Sequence, residues 1–192
     1  MINRRFSNIL GVALVLVAST LPTNAADGIE AKLQICGSCH GNEGEPSDPT
    51  VPIIWGQQQA YLEKQLRDYK SGDRDSQIMS SLAESLKKEE VPDVASFFAS
   101  KKWPQHPADR AAAGSLPDAI SACQTCHQVN FLGGPAVGET VPRLAGQTRE
   151  YLVDAMRSFT NGERDNNAAM AASMKALSTV EREAIARYLS TL

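Results

Sequence analysis

The chain is poor in the residues from which most catalytic and metal sites are built. Of 192 residues only four are cysteine and three are histidine. All four cysteines fall in two copies of one pattern, Cys36-Gly37-Ser38-Cys39-His40 and Cys123-Gln124-Thr125-Cys126-His127. No thiol is left for a disulfide elsewhere, and His106 is the sole imidazole outside the copies. Beyond the N-terminus no run approaches the roughly 20 apolar residues of a spanning helix, and no segment alternates as a half-buried strand does. The fold expected is therefore all-α. Basic charge is also short: the formal net charge is −3, which argues against a nucleic-acid partner.

What apolar run there is lies at the start. Arg4 and Arg5 precede a short apolar stretch from Ile9 to Ala18, and Thr23-Asn24-Ala25 offers small residues before a cut. This reads as a secretory signal over residues 1–25, cleaved after Ala25, and so as export to a bacterial periplasm. The alternative is an uncleaved anchor, for which the stretch is short. Loss of Arg4 and Arg5 takes the net charge from −3 to −5, a surface suited to a partner with a basic docking patch.

Two thiols separated by two residues and followed by histidine form the attachment pattern of c-type haem. The thiols bond to the two vinyl groups of one porphyrin, and the imidazole becomes the proximal iron ligand. Half a zinc site, a dithiol redox pair and a disulfide are the competing readings. Zinc on the four cysteines would leave both adjacent histidines unexplained, and a dithiol oxidoreductase would sit in a βαβ pattern that is absent. Export also suits haem attachment. Cys36, Cys39, Cys123 and Cys126 are thus read as carrying two covalent haem c groups.

An internal repeat divides the mature chain. Val51-Pro52-Ile53-Ile54-Trp55-Gly56-Gln57 returns ninety positions later as Val141-Pro142-Arg143-Leu144-Ala145-Gly146-Gln147, and Gly72-Asp73-Arg74-Asp75 as Gly162-Glu163-Arg164-Asp165. The cysteine motifs are offset by 87, so the second unit has three more residues after its motif. Domains of 26–103 and 104–192 follow, joined through a polar, proline-bearing linker at Lys101 to Pro107. Each unit is expected to run as a short helix into the motif, a Gly/Pro-rich loop, a helix, a methionine-bearing loop and a last helix. The middle helices are expected over 57–71 and 147–161, with Tyr61, Tyr69, Tyr151 and Phe159 packing them against haem. Ser178-Thr179-Val180-Glu181 reads as a capping box opening the final helix; its counterpart in the first unit starts near Pro92. The helix into the second motif either occupies 108–115 or begins at Pro117.

A haem with one protein ligand is open to small molecules; a second, methionine ligand closes it and raises its potential. Met79 precedes Leu86 by seven residues and Met170 precedes Leu177 by seven, each leucine standing just ahead of a last helix. That spacing selects Met79 with His40 and Met170 with His127. Met156 lies inside the middle helix, and Met174 is the alternative to Met170, one turn on. A proximal histidine needs an acceptor at Nδ1, and carbonyls in the segments of Pro52 and Pro142 are the candidates. Arg74 and Arg164 either neutralise haem propionates or pair with Asp75 and Asp165. His106 reads as an exposed linker side chain, which leaves no distal histidine for catalysis.

With its paired motifs, V-P-x-[IL]-x-G-Q loops, Gly-x-Arg-Asp turns and methionines before each last helix, the chain resembles the c4-type dihaem cytochromes c along essentially all of its mature length. The resemblance implies two cytochrome c domains related by a pseudo-twofold axis, haem edges near the interface, ligands His40, Met79, His127 and Met170, and Pro52 and Pro142 as the carbonyls bonded to the histidines. It departs after the second motif, where His127-Gln128-Val129-Asn130-Phe131 replaces the glycine-bearing His40-Gly41-Asn42-Glu43-Gly44, and in the linker with Trp103. Two roles fit: a periplasmic shuttle from a quinol-oxidising complex to a terminal oxidase or reductase, or the electron-accepting subunit of a dehydrogenase such as a sulfide-oxidising flavocytochrome. A dihaem peroxidase-like enzyme is disfavoured by closed irons.

Overall fold

The computed structural model describes residues 25–104, 115–136 and 139–192. The signal-like segment up to residue 24, His106 and the candidate helix at 108–115 lie outside or almost outside these. In the first half four helices follow one another: α1 (Ala25–His40), α2 (Gln59–Ser71), α3 (Gln77–Glu84) and α4 (Glu90–Ala99). In the second, α5 (Ile120–His127) leads through a hairpin of β1 (Gly134–Ala136) and β2 (Glu139–Val141) to α6 (Arg149–Asn161), α7 (Ala168–Lys175) and α8 (Thr179–Ser190).

Local chemistry sets the ends of these helices. The middle helices α2 and α6 both stop at a glycine in the left-handed region, Gly72 at φ 86° and Gly162 at φ 83°, where a side chain would be strained. Ser178 opens α8 with the full capping box expected from the sequence. In α4, Pro92 is the third helical residue, within the first turn whose N–H groups have no helical acceptor, so its missing donor costs nothing. Helix α5 begins at Ile120 and runs through the second motif, as the reading from Pro117 expects.

Three details differ from expectation. The methionine segments are short helices, because Ser76 and Asn167 cap them: each side chain accepts from the backbone N–H of the methionine three residues on. The middle helices start at Gln59 and Arg149, since Gln57 and Gln147 sit in the preceding turn and point into the other half. The antiparallel β1–β2 pair occupies the longer loop of the second half, whose additional residues let the chain fold back on itself.

Each half has its own apolar core. Leu62, Leu86, Val91, Val94 and Phe98 bring α2 and α4 together in the first. Leu152, Met156, Phe159, Met174, Ile185 and Leu189 join α6, α7 and α8 in the second. Each such side chain contributes on the order of 1.5–3 kcal/mol when buried.

The halves meet through a reciprocal exchange. Buried Gln57 accepts from Arg143 N at 2.7 Å and donates to Arg143 O at 3.1 Å. Buried Gln147 accepts from Ile53 N at 2.9 Å and donates to Ile53 O at 3.0 Å. Both glutamines and both clamped peptides are related by the ninety-residue repeat, so the contact is self-complementary, as a twofold axis requires. The linker closes the junction: Trp103 is buried, with the Arg143 guanidinium 4.3 Å from its ring centroid.

The departure after the second motif is also explained. Gly41 and Gly44 have φ of 88° and 91°, and their counterparts Gln128 and Phe131 keep this conformation at 67° and 57°. A Cβ on Gly44 would lie 2.9 Å from the ring of Trp55. In the second half the position of Trp55 is Ala145, and Phe131 is 2% exposed in the core. An aromatic side chain has moved from one partner to the other while the backbone stayed. Gly44→Ala should therefore cost at least about 1–3 kcal/mol, read by urea unfolding of the holoprotein, and the loss should shrink in a Trp55→Ala background.

Candidate cofactor sites

Both motifs lie in the last turn of a helix, so their cysteines, three residues apart, share one face. All four thiols are free of disulfides, and the pattern repeats: Cys36 and Cys123 are half-buried, Cys39 and Cys126 exposed. Burial pushes the Cys36 and Cys123 thiols above their ordinary range, leaving them protonated. Among the described residues no three His, Cys, Asp or Glu side chains converge as a metal site, so the four cysteines do not come together around zinc.

The histidines end α1 and α5 and turn inward, 7% and 3% exposed. His40 Nδ1 is 2.8 Å from Pro52 O, and His127 Nδ1 is 3.0 Å from Pro142 O. A carbonyl only accepts, so in both rings Nδ1 carries the proton and Nε2 the lone pair. Burial lowers the His40 pKa despite the Pro52 carbonyl, which keeps the ring neutral. Paired free thiols on one helix face and an adjacent buried imidazole held at Nδ1 by a carbonyl fit a covalently held haem iron in each half.

The methionines occupy the third residue of α3 and of α7. Met79 and Met170 are half-buried, Met170 resting against the second core. Met174 is 4% exposed inside that core, where the first half has Ala83 at 1%. Met156 is likewise a core residue. A groove of about 390 Å³ beside the first motif, walled by Leu33, Gly37, Trp55 and Phe97 among others, includes neither His40 nor Met79.

Arg74 and Arg164 are brought together at the junction, facing each other in an antiparallel bridge. They bond to neutral oxygens rather than to Asp75 and Asp165. Arg74 donates to Gln65 Oε1 at 2.8 Å and the Tyr151 hydroxyl at 3.4 Å. Arg164 donates to the Tyr61 hydroxyl at 3.2 Å, Gln65 Oε1 at 2.9 Å and Asn166 Oδ1 at 3.0 Å. Each also lies over a ring of its own half, Tyr69 at 4.6 Å and Phe159 at 4.3 Å. Tyr61 and Tyr151 thus aim their hydroxyls across the junction, where packing of the middle helices alone was expected. Burial raises the Tyr151 phenol, but the two guanidinium ions outweigh it and bring it to about 8; burial pushes Tyr69 up to about 12.

Gln57, Gln147, Gln65 and Trp103 were not read as functional from the sequence. The glutamines had a signal, the repeated Gly-Gln of the proline loops. Gln65 had none, because its counterpart is Ala155.

Comparison with known proteins places these features. The family model for cytochrome c matches residues 118–192. Cytochrome c4 of Pseudomonas aeruginosa is 32% identical over 181 residues, covering 88% of this chain and 89% of that protein. The "thiosulfate dehydrogenase electron acceptor" of Stutzerimonas stutzeri is 30% identical over 205 residues, covering 95% and 93%. The crystal structure of reduced recombinant cytochrome c4 from Pseudomonas stutzeri superposes with a TM-score of 0.74 at 30% identity, covering 87% of this chain and 98% of that one. The chain accordingly carries two covalently bound haem c groups. Replacing Cys36 and Cys39 together by alanine should leave one haem per chain, counted by the pyridine haemochromogen and by a mass lower by one haem.

Proposed function

This chain belongs to the c4-type dihaem cytochromes c, electron-transfer proteins rather than enzymes, and from that premise we propose how its own residues serve the role. His40 with Met79, and His127 with Met170, would hold the two haem irons. Haem bound there would supply a one-electron ferric/ferrous couple; the four side chains would close both irons to substrates, and the methionines would hold the potentials high. What supports the choice of methionine is position: Met79 and Met170 share the third residue of capped helices and are half-buried, while Met174 is engaged in the apolar core. The domains are 26–103 and 104–192, and the signal ends at Ala25, so that the carrier works in the periplasm.

Pro52 and Pro142 orient the ligand histidines through their carbonyls. Arg74 and Arg164 neutralise haem propionates. This last reading rests on the junction's charge: two guanidinium ions share a partly buried site with neutral partners, and enclosing unneutralised cations costs several kcal/mol. Carboxylates supplied by the cofactor remove that cost.

The redox partners are a quinol-oxidising complex as donor and a terminal oxidase or reductase as acceptor. A dehydrogenase as donor, flavin-bearing or otherwise, is the second reading, favoured by the likeness to a thiosulfate dehydrogenase electron acceptor. Recovery of the protein from its source only in a stoichiometric complex with a catalytic chain would decide for the dehydrogenase.

Replacement of Met79 or Met170 should lower the potential of one haem by on the order of 100 mV, a modest part of the roughly 0.8 V that axial ligands span. Spectroelectrochemistry measures it, with loss of the Met–iron absorption band in that haem alone. Tyrosine titration tests the arginines. With propionates on the guanidinium ions, Tyr151 returns to its ordinary 10 or above. A Tyr151 still held below the ordinary tyrosine range in the ¹³C spectrum of the holoprotein would show that the arginines are not neutralised in this way.

A further inference from the structure

The two peptide units that accept from the histidines are bonded on their other side as well, and from the opposite half. The Pro52–Ile53 peptide takes the His40 Nδ1 proton on its oxygen at 2.8 Å and gives its N–H to Gln147 Oε1 at 2.9 Å. The Pro142–Arg143 peptide takes the His127 Nδ1 proton at 3.0 Å and gives its N–H to Gln57 Oε1 at 2.7 Å. The amide orientations are fixed, since each glutamine also donates Nε2 to the carbonyl of the residue it clamps, Ile53 or Arg143. Only one way round satisfies both bonds.

We propose that Gln147 and Gln57 are positioning residues that set the basicity of the proximal histidine in the opposite half, so that each domain tunes the other's haem. The inference rests on His40 and His127 being iron ligands. A peptide whose N–H is engaged by an acceptor carries more electron density on its oxygen, and bonds in such a chain strengthen one another by roughly 10–30%. A stronger acceptor at Nδ1 makes the imidazole a better donor to iron, which favours the ferric state and lowers the potential. Both glutamines are buried, 4% and 3% exposed, so water does not screen the chain or replace its acceptor.

The test uses the holoprotein with the two haems resolved by NMR and by redox titration. Gln147→Met keeps length and volume but has no acceptor for Ile53 N–H. It should raise the potential of the haem on Cys36 and Cys39 and leave the other nearly unchanged. Gln57→Met should do the converse. The expected change is a twofold to threefold shift of the ferric/ferrous ratio at fixed potential, about 20–30 mV at 59 mV per tenfold. The proton on Nδ1 of the crossed histidine should move in the same variants, seen in its hyperfine shift and faster exchange.

Gln147→Glu guards against a loosened junction, because it loses the bond to Ile53 O yet keeps an acceptor for Ile53 N–H. It should hold the potential of the haem on Cys36 and Cys39 at or below the wild-type value. Shifts that stay in the mutated domain, equal shifts in both haems, no shift, or a Glu variant that rises with the Met variant would each overturn the proposal. Wild-type protein without Met–iron bands, or Met79 and Met170 variants with unaltered potentials, would instead overturn the ligand assignment.

Discussion

The junction depends on two buried side-chain amides satisfied by backbone. An enclosed primary amide with unmet donors and acceptors costs a few kcal/mol, and Gln57 and Gln147 avoid that cost only when the two halves dock in one arrangement. Each amide grips both polar groups of a single residue across the boundary, Arg143 or Ile53. Slippage by one residue would break all four of these bonds. The preceding glycines bind the same turns to their own last helices, Gly56 N to Phe98 O and Gly146 N to Leu189 O, both at 2.9 Å. One short turn therefore links the last helix of its own domain, the peptide bonded to the histidine and the opposite domain.

Beside this symmetrical clamp the charged part of the junction is not symmetrical. Arg74 reaches Tyr151 and Arg164 reaches Tyr61, as the repeat requires. Gln65 serves both arginines, while its counterpart Ala155 serves neither. Asn166 adds bonds to Arg164, Gln65 and Asp68. The two guanidinium ions thus occupy unlike surroundings within one duplicated frame. Two haems in identical domains would have equal potentials, and a carrier with a preferred direction of transfer needs them to differ. In this chain the side chains that differ beside the repeated arginines lie at the shared boundary.

The sequence disclosed most of what is covalent or periodic. Cysteine and histidine spacing pointed to the haem sites, the ninety-residue repeat to two units, and Ser178 with Glu181 to the start of α8. It disclosed least where function depends on contact between units. Gly-Gln was legible as a repeated pair, yet nothing local says that Gln57 leaves its helix to grip Arg143. Tyr61 and Tyr151 fall at helical spacing and read as core, because periodicity gives the face and not the partner beyond it. The methionine segments are short and their apolar pattern is weak; the caps at Ser76 and Asn167 make them helical, and a single Ser or Asn is too common a residue to identify a helix of eight.

The loop after the second motif carries this point further. Read as a string, Gln128 and Phe131 in place of Gly41 and Gly44 suggest a different backbone, since left-handed residues are usually glycine. The conformation is kept nonetheless. A left-handed phenylalanine costs about 1–3 kcal/mol, and burying its ring returns about 1.5–3 kcal/mol, so the exchange is close to neutral provided that the space is vacant. Ala145 leaves that space vacant, and Trp55 in the first domain fills it. Phe131 O then accepts from both Leu144 N and Ala145 N, at 2.8 and 3.1 Å, which fastens the loop to the turn that follows Pro142. The departure from the glycine pattern is a transfer of one aromatic group within a conserved backbone. It alters the surface around the second motif, where Val129 is 79% exposed, and leaves the histidine and its carbonyl in the positions they hold in the first domain. The duplicated units differ in the loop after the motif and in what lies between the domains, while the peptide bonded to each histidine is common to both.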